Sequence, residues 1–229
     1  NVAIIAAAGQ GTRMGGKRAK QFLELAGTPV IIHTLKVFEQ CHSIQEIIVV
    51  LPEQDVAGFA SLADKHDLRK LRKTVAGGAT RTESVFRGFR EIDPVTAKIV
   101  AVHDGIRPFV TADELSKTID AAEHNGAAIL VAAQIDTVKE VANNFVVRTL
   151  PREQLRRALT PQCFRYALLA DGFENVDQAD PQLSDESSLM ERLGIKVAIV
   201  EGSPRNIKLT TPEDLIVGEA LLAMTATKR

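Results

Sequence analysis

The opening apolar run ends in Ala6-Ala-Ala-Gly-Gln-Gly-Thr-Arg-Met-Gly-Gly-Lys-Arg-Ala-Lys20, a glycine-rich turn carrying Arg13, Lys17, Arg18 and Lys20. Glycines let successive backbone N–H groups face one cavity, and cations beside such a cavity suit a polyphosphate. Two familiar phosphate loops do not fit. The dinucleotide pattern GxGxxG needs a glycine where Met14 stands, and the Walker A pattern from Gly11 reaches Gly16-Lys17 and then meets Arg18 in place of the Ser or Thr that would hold Mg²⁺. A Rossmann dehydrogenase and a P-loop ATPase are both disfavoured; a tight turn with solvated charges is the plain alternative.

Three further groups of residues carry chemistry. Val102-His-Asp-Gly-Ile-Arg-Pro108 follows an apolar run, which puts Asp104 at the carboxyl end of a strand, where α/β ligand crevices form. A hard Mg²⁺ held through substrate phosphates needs only one or two protein carboxylates, so Asp104 is the metal-ligand candidate and Arg107, kept extended by Pro108, an anion hook. Asp104 as a plain turn residue is the alternative, and His103 reads as a packed imidazole. Gly77-Gly-Ala-Thr-Arg-Thr-Glu-Ser-Val85 is a glycine pair entering a helix, with Thr80 and Glu83 at capping-box spacing and Ser84 able to face a planar base. Arg205-Asn-Ile-Lys-Leu-Thr-Thr-Pro212 places Lys208 in an extended stretch, where a lysine is ordinarily just solvated.

These residues need a scaffold, and the alternation of short β-branched runs with amphipathic stretches predicts an α/β sheet covered on both faces. Strands are expected at Val2–Ala7, Glu46–Leu51, Thr74–Ala76, Lys98–His103, Ala127–Gln134 and Lys196–Val200. Helices are expected at Val30–Gln40, Asp55–His66, Thr80–Ile92, Ala112–Asn125, Ser187–Leu193 and Pro212–Leu222, the last opened by Thr211, Pro212, Glu213 and Asp214. Gln178–Leu183 reads as a polar loop. Residues 134–152 read as a β-arm hairpin turning at Asn143-Asn144, expected to pack on another subunit because a lone hairpin with polar faces is marginally stable; an arm folded on its own domain is the plain alternative. The expectation is one domain over residues 1–229 that includes this arm.

The 229 residues carry 28 Lys and Arg against 29 Asp and Glu, a formal net charge of −1, which speaks against nucleic-acid or anionic-membrane binding by bulk charge. The longest apolar runs fall short of the roughly 20 residues that cross a bilayer. Cys41 and Cys163 stand far apart with no CxxC, so neither a disulfide framework nor a zinc site is expected and the cytoplasm is the expected home.

Taken in order, the AAGxGxRMG loop, Lys20-Gln21-Phe22, Gly77-Gly78 with Arg81 and Ser84, His103-Asp104 with Arg107-Pro108, Asp136-Thr137-Val138-Lys139, Thr160-Pro161-Gln162, Asp185-Glu186 and Asn206-Ile207-Lys208 resemble the 2-C-methyl-D-erythritol 4-phosphate cytidylyltransferase family over nearly the whole chain. The resemblance implies a Rossmann-like nucleotidyltransferase fold, α/β, with a mostly parallel mixed sheet and a protruding β-arm exchanged across a homodimer. The implied reaction converts CTP and methylerythritol phosphate, a polyol phosphate, to CDP-methylerythritol and pyrophosphate with Mg²⁺, in isoprenoid precursor synthesis. By matching position, Arg13 and Lys20 would neutralise the triphosphate, and Lys208 would hold the α-phosphate and the incoming phosphate. The backbone of Ala7, Ala8, Gly9 and Gly78 with the Ser84 side chain would read the cytosine, Gly11 would belong to the same nucleotide loop, and Asp104 would bind Mg²⁺ near the ribose. Arg107 would contact the methylerythritol phosphate, with Thr137 and Arg152 reaching it from the partner's arm.

Two positions depart from the family's pattern. Ile106 replaces the usual small residue before Arg107, and Ser184 replaces the usual Thr before Asp185. A larger aliphatic residue before the arginine also occurs in ribitol 5-phosphate cytidylyltransferases, so that specificity stays open, as does a non-catalytic nucleotide-sensing dimer.

Overall fold

A computed structural model describes residues 1–9, 19–175, 177, 180 and 183–226. Gly11, Arg13, Lys17, Arg18 and most of the expected 178–183 loop lie outside the described residues. The central strands are β1 (Val2–Ala6), β4 (Glu46–Leu51) and β6 (Ile99–Asp104), nearly every residue of which is buried. Short continuous β-branched runs of this kind are what a parallel sheet covered on both faces requires. Strands β5 (Leu71–Ala76), β7 (Ala127–Ala133), β10 (Arg156–Arg165) and β11 (Ala198–Glu201) complete a seven-stranded sheet of order β11-β7-β10-β6-β1-β4-β5. Only β10 runs antiparallel to its neighbours, so the sheet is mixed but mostly parallel. Two minor strands, β2 (Glu24–Leu25) and β3 (Thr28–Pro29), form a small separate hairpin.

Because side chains alternate along a strand, each central strand feeds two cores. Ala3, Ile5, Ile47, Val49 and Ala101 pack under α1 (Val30–Gln40), α2 (Glu53–Asp64) and α4 (Ala112–Asn125), whose Phe38, Phe59 and Leu115 are buried there. Val2, Ile4, Ile48, Val50 and Val100 pack under α3 (Arg81–Phe89), α5 (Tyr166–Asn175) and α6 (Ser187–Arg192). A third, smaller cluster of Leu25, Val30, Ile106 and Leu209 receives α7 (Pro212–Ala226) through Leu215 and Leu222. Strand order reverses beside β1: its neighbours β4 and β6 come from opposite halves of the sheet, and the gap beyond their carboxyl ends is a ligand crevice by construction.

The expected α1, α4 and β4 have the observed limits, whereas other boundaries move. Strand β5 begins three residues earlier than Thr74. Helix α2 runs Glu53–Asp64 instead of Asp55–His66, starting directly after Pro52 with Glu53 and Asp55 in its first turn. Helix α3 stops at Phe89, short of Ile92, and α7 runs past Leu222. Strand β10 and helix α5 were not expected at all. Pro161 sits in the middle of β10 and interrupts the ladder, and the register with β7 shifts between Ala158 and Gln162 around it.

Residues Val138–Ala142 (β8) and Phe145–Leu150 (β9) pair as an antiparallel hairpin of their own, with Asn143 and Asn144 both at positive φ, 50° and 65°. These are the angles of a two-residue turn that matches strand twist. Val141, Phe145, Val146 and Val147 on this hairpin are all more than half exposed.

Helix α3 approaches the sheet through Gly88, where an added Cβ would lie 2.8 Å from Val50 Cγ2 and 3.0 Å from Ile4 Cγ2. Gly88→Ala gains helix propensity but must push α3 off β1 and β4. The net expectation is a loss of about 1–2 kcal/mol, read as a lower midpoint in urea denaturation.

Candidate active site

The carboxyl ends of β1 and β6 open into a cavity of about 480 Å³. Part of its lining is a floor of small residues: Ala7, Ala8 and Gly9 after β1, with Gly78, Ala79 and Ser84 at the start of α3. Close approach of two backbones makes this floor. A Cβ on Gly77 would lie 2.2 Å from that of Ala8, so only glycine fits there. The Gly78 N–H donates to Ser84 Oγ at 3.0 Å, and Ser84 donates in turn to the Thr80 carbonyl at 2.8 Å. Thr80 caps α3 by accepting from the Glu83 N–H, and Glu83 reaches back to the Ala79 N–H at 2.7 Å.

The rest of the lining carries the charge. Lys20, Gln21, Arg81, Asp104, Ile106 and Lys208 are part of it. Asp104 ends β6, and three cations converge on its carboxylate. Arg81 Nε lies 3.2 Å from Oδ1, Arg107 Nε 3.3 Å from Oδ2, and Lys208 Nζ 2.9 Å from Oδ2. Burial by itself would raise the Asp104 pKa, but Arg81, Lys208 and Arg107 together outweigh it and hold the carboxyl far below the usual range. Arg81 also donates through Nη1 to both oxygens of Glu186, at 2.7 and 2.8 Å. Burial opposes the Arg81 charge, and Glu186 and Asp104 more than restore it, so its pKa is raised. Burial pushes the Glu186 carboxyl up, with Arg81 pulling the other way.

A neutral polar relay lies behind this cluster. His103 is fully buried, and burial pushes its pKa down to about 4. Its Nε2 lies 3.1 Å from the Arg107 carbonyl, which can only accept, so that nitrogen carries the proton. Nδ1 is left to accept from the Thr160 hydroxyl at 2.9 Å. Thr160 Oγ1 accepts from the Asp104 N–H at 3.2 Å, and Asn206 Nδ2 donates to the Thr160 carbonyl at 2.8 Å. Arg107 Nη1 donates to the Asn206 carbonyl, and the Leu209 N–H to the Ile106 carbonyl, both at 2.9 Å. Strand β10 and the 206–209 segment are thereby tied to the end of β6.

The structure therefore brings Ala7, Ala8, Gly9, Lys20, Gly78, Ser84, Asp104 and Lys208 to one cavity, with Arg107 on the same carboxylate. Lys208 is not simply solvated. Thr137 is exposed, and Arg152, whose Nη1 donates to the Ile135 carbonyl at 3.2 Å, lies at the base of the hairpin; neither lines this cavity. Arg81, Glu186, Thr160 and Asn206 enter the site without having been singled out for it. Arg81 did leave a signal: a cation in the first turn of a helix opposes the helix dipole and needs a carboxylate partner. Among the described residues no cluster of three or more His, Cys, Asp or Glu is arranged to hold a metal.

Glu186 is inaccessible, and removing its charge strands the Arg81 guanidinium on one side. Glu186→Gln should cost about 3 kcal/mol, measured by chemical denaturation.

Comparison with known proteins bears on the same cavity. The family model for 2-C-methyl-D-erythritol 4-phosphate cytidylyltransferase matches residues 1–224. The chain is 43% identical over 220 residues to the enzyme of that name from Halalkalibacterium halodurans, covering 96% of each. Among solved structures, a 4-diphosphocytidyl-2C-methyl-D-erythritol synthase from Anaerococcus prevotii superposes with a TM-score of 0.85 at 34% identity, over 97% of this chain and 95% of the other. The 2-C-methyl-D-erythritol 4-phosphate cytidylyltransferase of Thermus thermophilus gives 0.77 at 32% identity, over 96% and 97%. A near full-length family match, 43% identity and a shared overall backbone lead to one conclusion: this chain belongs to the 2-C-methyl-D-erythritol 4-phosphate cytidylyltransferase family.

Proposed function

We propose how the cavity carries out the reaction for which the family is named, the joining of CTP to 2-C-methyl-D-erythritol 4-phosphate. The chain is a nucleotidyltransferase of the non-mevalonate isoprenoid pathway. The observation that carries the mechanism is the meeting, in one cavity, of a small-residue lining and a cationic cluster centred on Asp104. The cytosine lies on Ala7, Ala8, Gly9 and Gly78, with Ser84 at its edge. The triphosphate then runs toward Lys20 and Lys208.

The chemistry is an in-line displacement. A phosphate oxygen of the polyol phosphate forms a bond to the α-phosphorus while the bond to the bridging oxygen breaks, and pyrophosphate leaves with that electron pair. No covalent enzyme intermediate is needed. The obstacle is repulsion between two polyanions, and preorganised cations remove it. Asp104 holds the Lys208 ammonium beside the transferring phosphorus, while Arg107 recognises the incoming phosphate. Arg13 and Gly11, by the family resemblance, serve the triphosphate from the 10–18 segment.

Asp104 suits one bond to a hard cation. Its two oxygens offer about four lone-pair sites, of which three face Arg81, Arg107 and Lys208. A Mg²⁺ ion would be held chiefly by triphosphate oxygens with Asp104 as its protein ligand, and would supply charge neutralisation there.

The working unit is a homodimer. The β8–β9 hairpin leaves Val141, Phe145, Val146 and Val147 exposed, and an isolated hairpin with such a surface needs a partner. A second copy supplies that cover and brings Thr137 and Arg152 to the polyol phosphate. Among the described residues no helix is long and apolar enough to cross a membrane. With Cys41 and Cys163 buried as free thiols, the cytoplasm is the compartment that fits.

Methylerythritol phosphate is favoured over ribitol phosphate. The Ile106 side chain packs with Leu25, Val30 and Leu209, so its bulk is largely taken up by that cluster. Asp185 and Glu186 are both engaged, by Gln162 and Arg81.

Pyrophosphate release with CTP and Mg²⁺ should be faster with methylerythritol 4-phosphate than with ribitol 5-phosphate, and Lys208→Ala should lower it by about 10²-fold or more. The reverse preference would assign the chain to ribitol phosphate; no pyrophosphate from either would leave nucleotide sensing. In sedimentation analysis the wild type should run as a dimer, and Phe145→Glu with Val147→Glu should shift it to monomer and weaken turnover.

A further inference from the structure

Gln21 is a buried amide that the fold does not use. It lies in the single 3₁₀ turn Lys20–Phe22 and is 1% exposed, beside Phe22, whose ring packs against Phe59 with centroids 6.3 Å apart. Its Nε2 is shut off from solvent and has no hydrogen-bond partner among the described residues. The same residue lines the cavity, as do Lys20 and Lys208. A buried amide nitrogen carries two N–H donors, and buried donors are nearly always satisfied. Packing does not explain the exception, because an apolar side chain of equal length would fill the space without desolvating an amide. The other orphan among the described residues is of a different kind. Asn206 Oδ1 is an acceptor, does not line the cavity, and belongs to a side chain already anchored on Thr160.

What completes Gln21 must be an acceptor that arrives from the cavity. Lys20 precedes it in the chain and Lys208 lines the same cavity, so the oxygens gathered there are anionic. We infer that Gln21 is a substrate-contacting residue whose Nε2 donates to a phosphate oxygen at the point of transfer. Two groups carry that chemistry, the CTP triphosphate and the incoming polyol phosphate. A neutral donor at this point has a use that a third cation would not: it orients an oxygen without tightening the hold on both polyanions. This role deepens the reading of the site as a cytidylyltransferase centre and rests on it.

Gln21→Met keeps length and volume and removes both donors, while Gln21→Glu keeps the shape and faces the phosphates with a negative charge. For the purified, full-length protein, the melting temperature without ligand, initial rates of pyrophosphate release and the KM for each substrate should be measured. Gln21→Met is expected to melt no lower than wild type and to lose roughly 10- to 100-fold in kcat/KM, the scale of one hydrogen bond to a charged group. Gln21→Glu is expected to lose more. A loss in the KM for CTP assigns the bond to the triphosphate, a loss in the KM for the polyol phosphate assigns it to the incoming phosphate, and a loss in kcat places it on the transferring group. Wild-type rates in Gln21→Met would overturn the role, and so would a clear fall in its melting temperature, which would make Gln21 a packing residue. A wild type that releases no pyrophosphate with either polyol would instead overturn the activity, whatever the variants do.

Discussion

Cations do not gather around an empty cavity unless something holds them there, and in this protein it is one carboxylate. Two like charges 4 Å apart repel by about 4 kcal/mol at the effective dielectric near a protein surface. Arg81, Arg107 and Lys208 come from α3, the turn after β6 and the segment before α7, and each meets Asp104. The carboxylate screens them from one another while leaving the group as a whole positive, since among the described residues Glu186 is the only other anion bonded to the three. Desolvation opposes such an arrangement. It persists because Asp104 sits on the last residue of a central strand, where its backbone is fixed on one side by β1 and on the other by Thr160 of β10.

The uncharged groups behind the cluster set its geometry. His103 cannot be protonated near neutral pH in that position, and this is what lets it donate at one nitrogen and accept at the other. Thr160 needs an acceptor for its proton and a donor for its oxygen, and it finds both on consecutive residues of β6. The antiparallel strand β10 is thus tied to the end of β6 that carries Asp104. Asn206 extends the same tie to the Lys208 segment through the Thr160 carbonyl. A displacement of β10 would move Asp104, Arg107 and Lys208 together.

How much of this was legible depended on whether a residue's role is local. Strand β4 and helices α1 and α4 follow from β-branched runs and three- and four-residue spacing, both short-range signals, and their limits could be read directly. Strand β10 could not, because Pro161 denies a strand by local rules and is tolerated only at an irregularity of pairing that the partner strands create. The same distinction divides the site. The glycine-lined floor and Asp104 are visible as motifs. Lys208 becomes part of the site only when a strand more than 100 residues earlier ends beside it, and Glu186 only when Arg81, 105 residues earlier, reaches it. Family resemblance supplied Lys208; pattern alone left it solvated.

Among the features that the chain's own packing leaves incomplete, one lies at Gln21 and one on the β8–β9 hairpin. A donor is buried at Gln21 without an acceptor, and a row of Val and Phe side chains stands exposed on the β8–β9 hairpin. Sequences under selection for stability alone would remove both, the first with an apolar residue and the second with polar ones. Elsewhere local rules are followed at many points, with side-chain caps on α3 and α4, glycine at the close approaches of Gly77 and Gly88, and buried charges in contact with partners. The departures are therefore informative by their position. One lines the cavity and the other lies on the arm, the two places where the proposed function brings in another molecule.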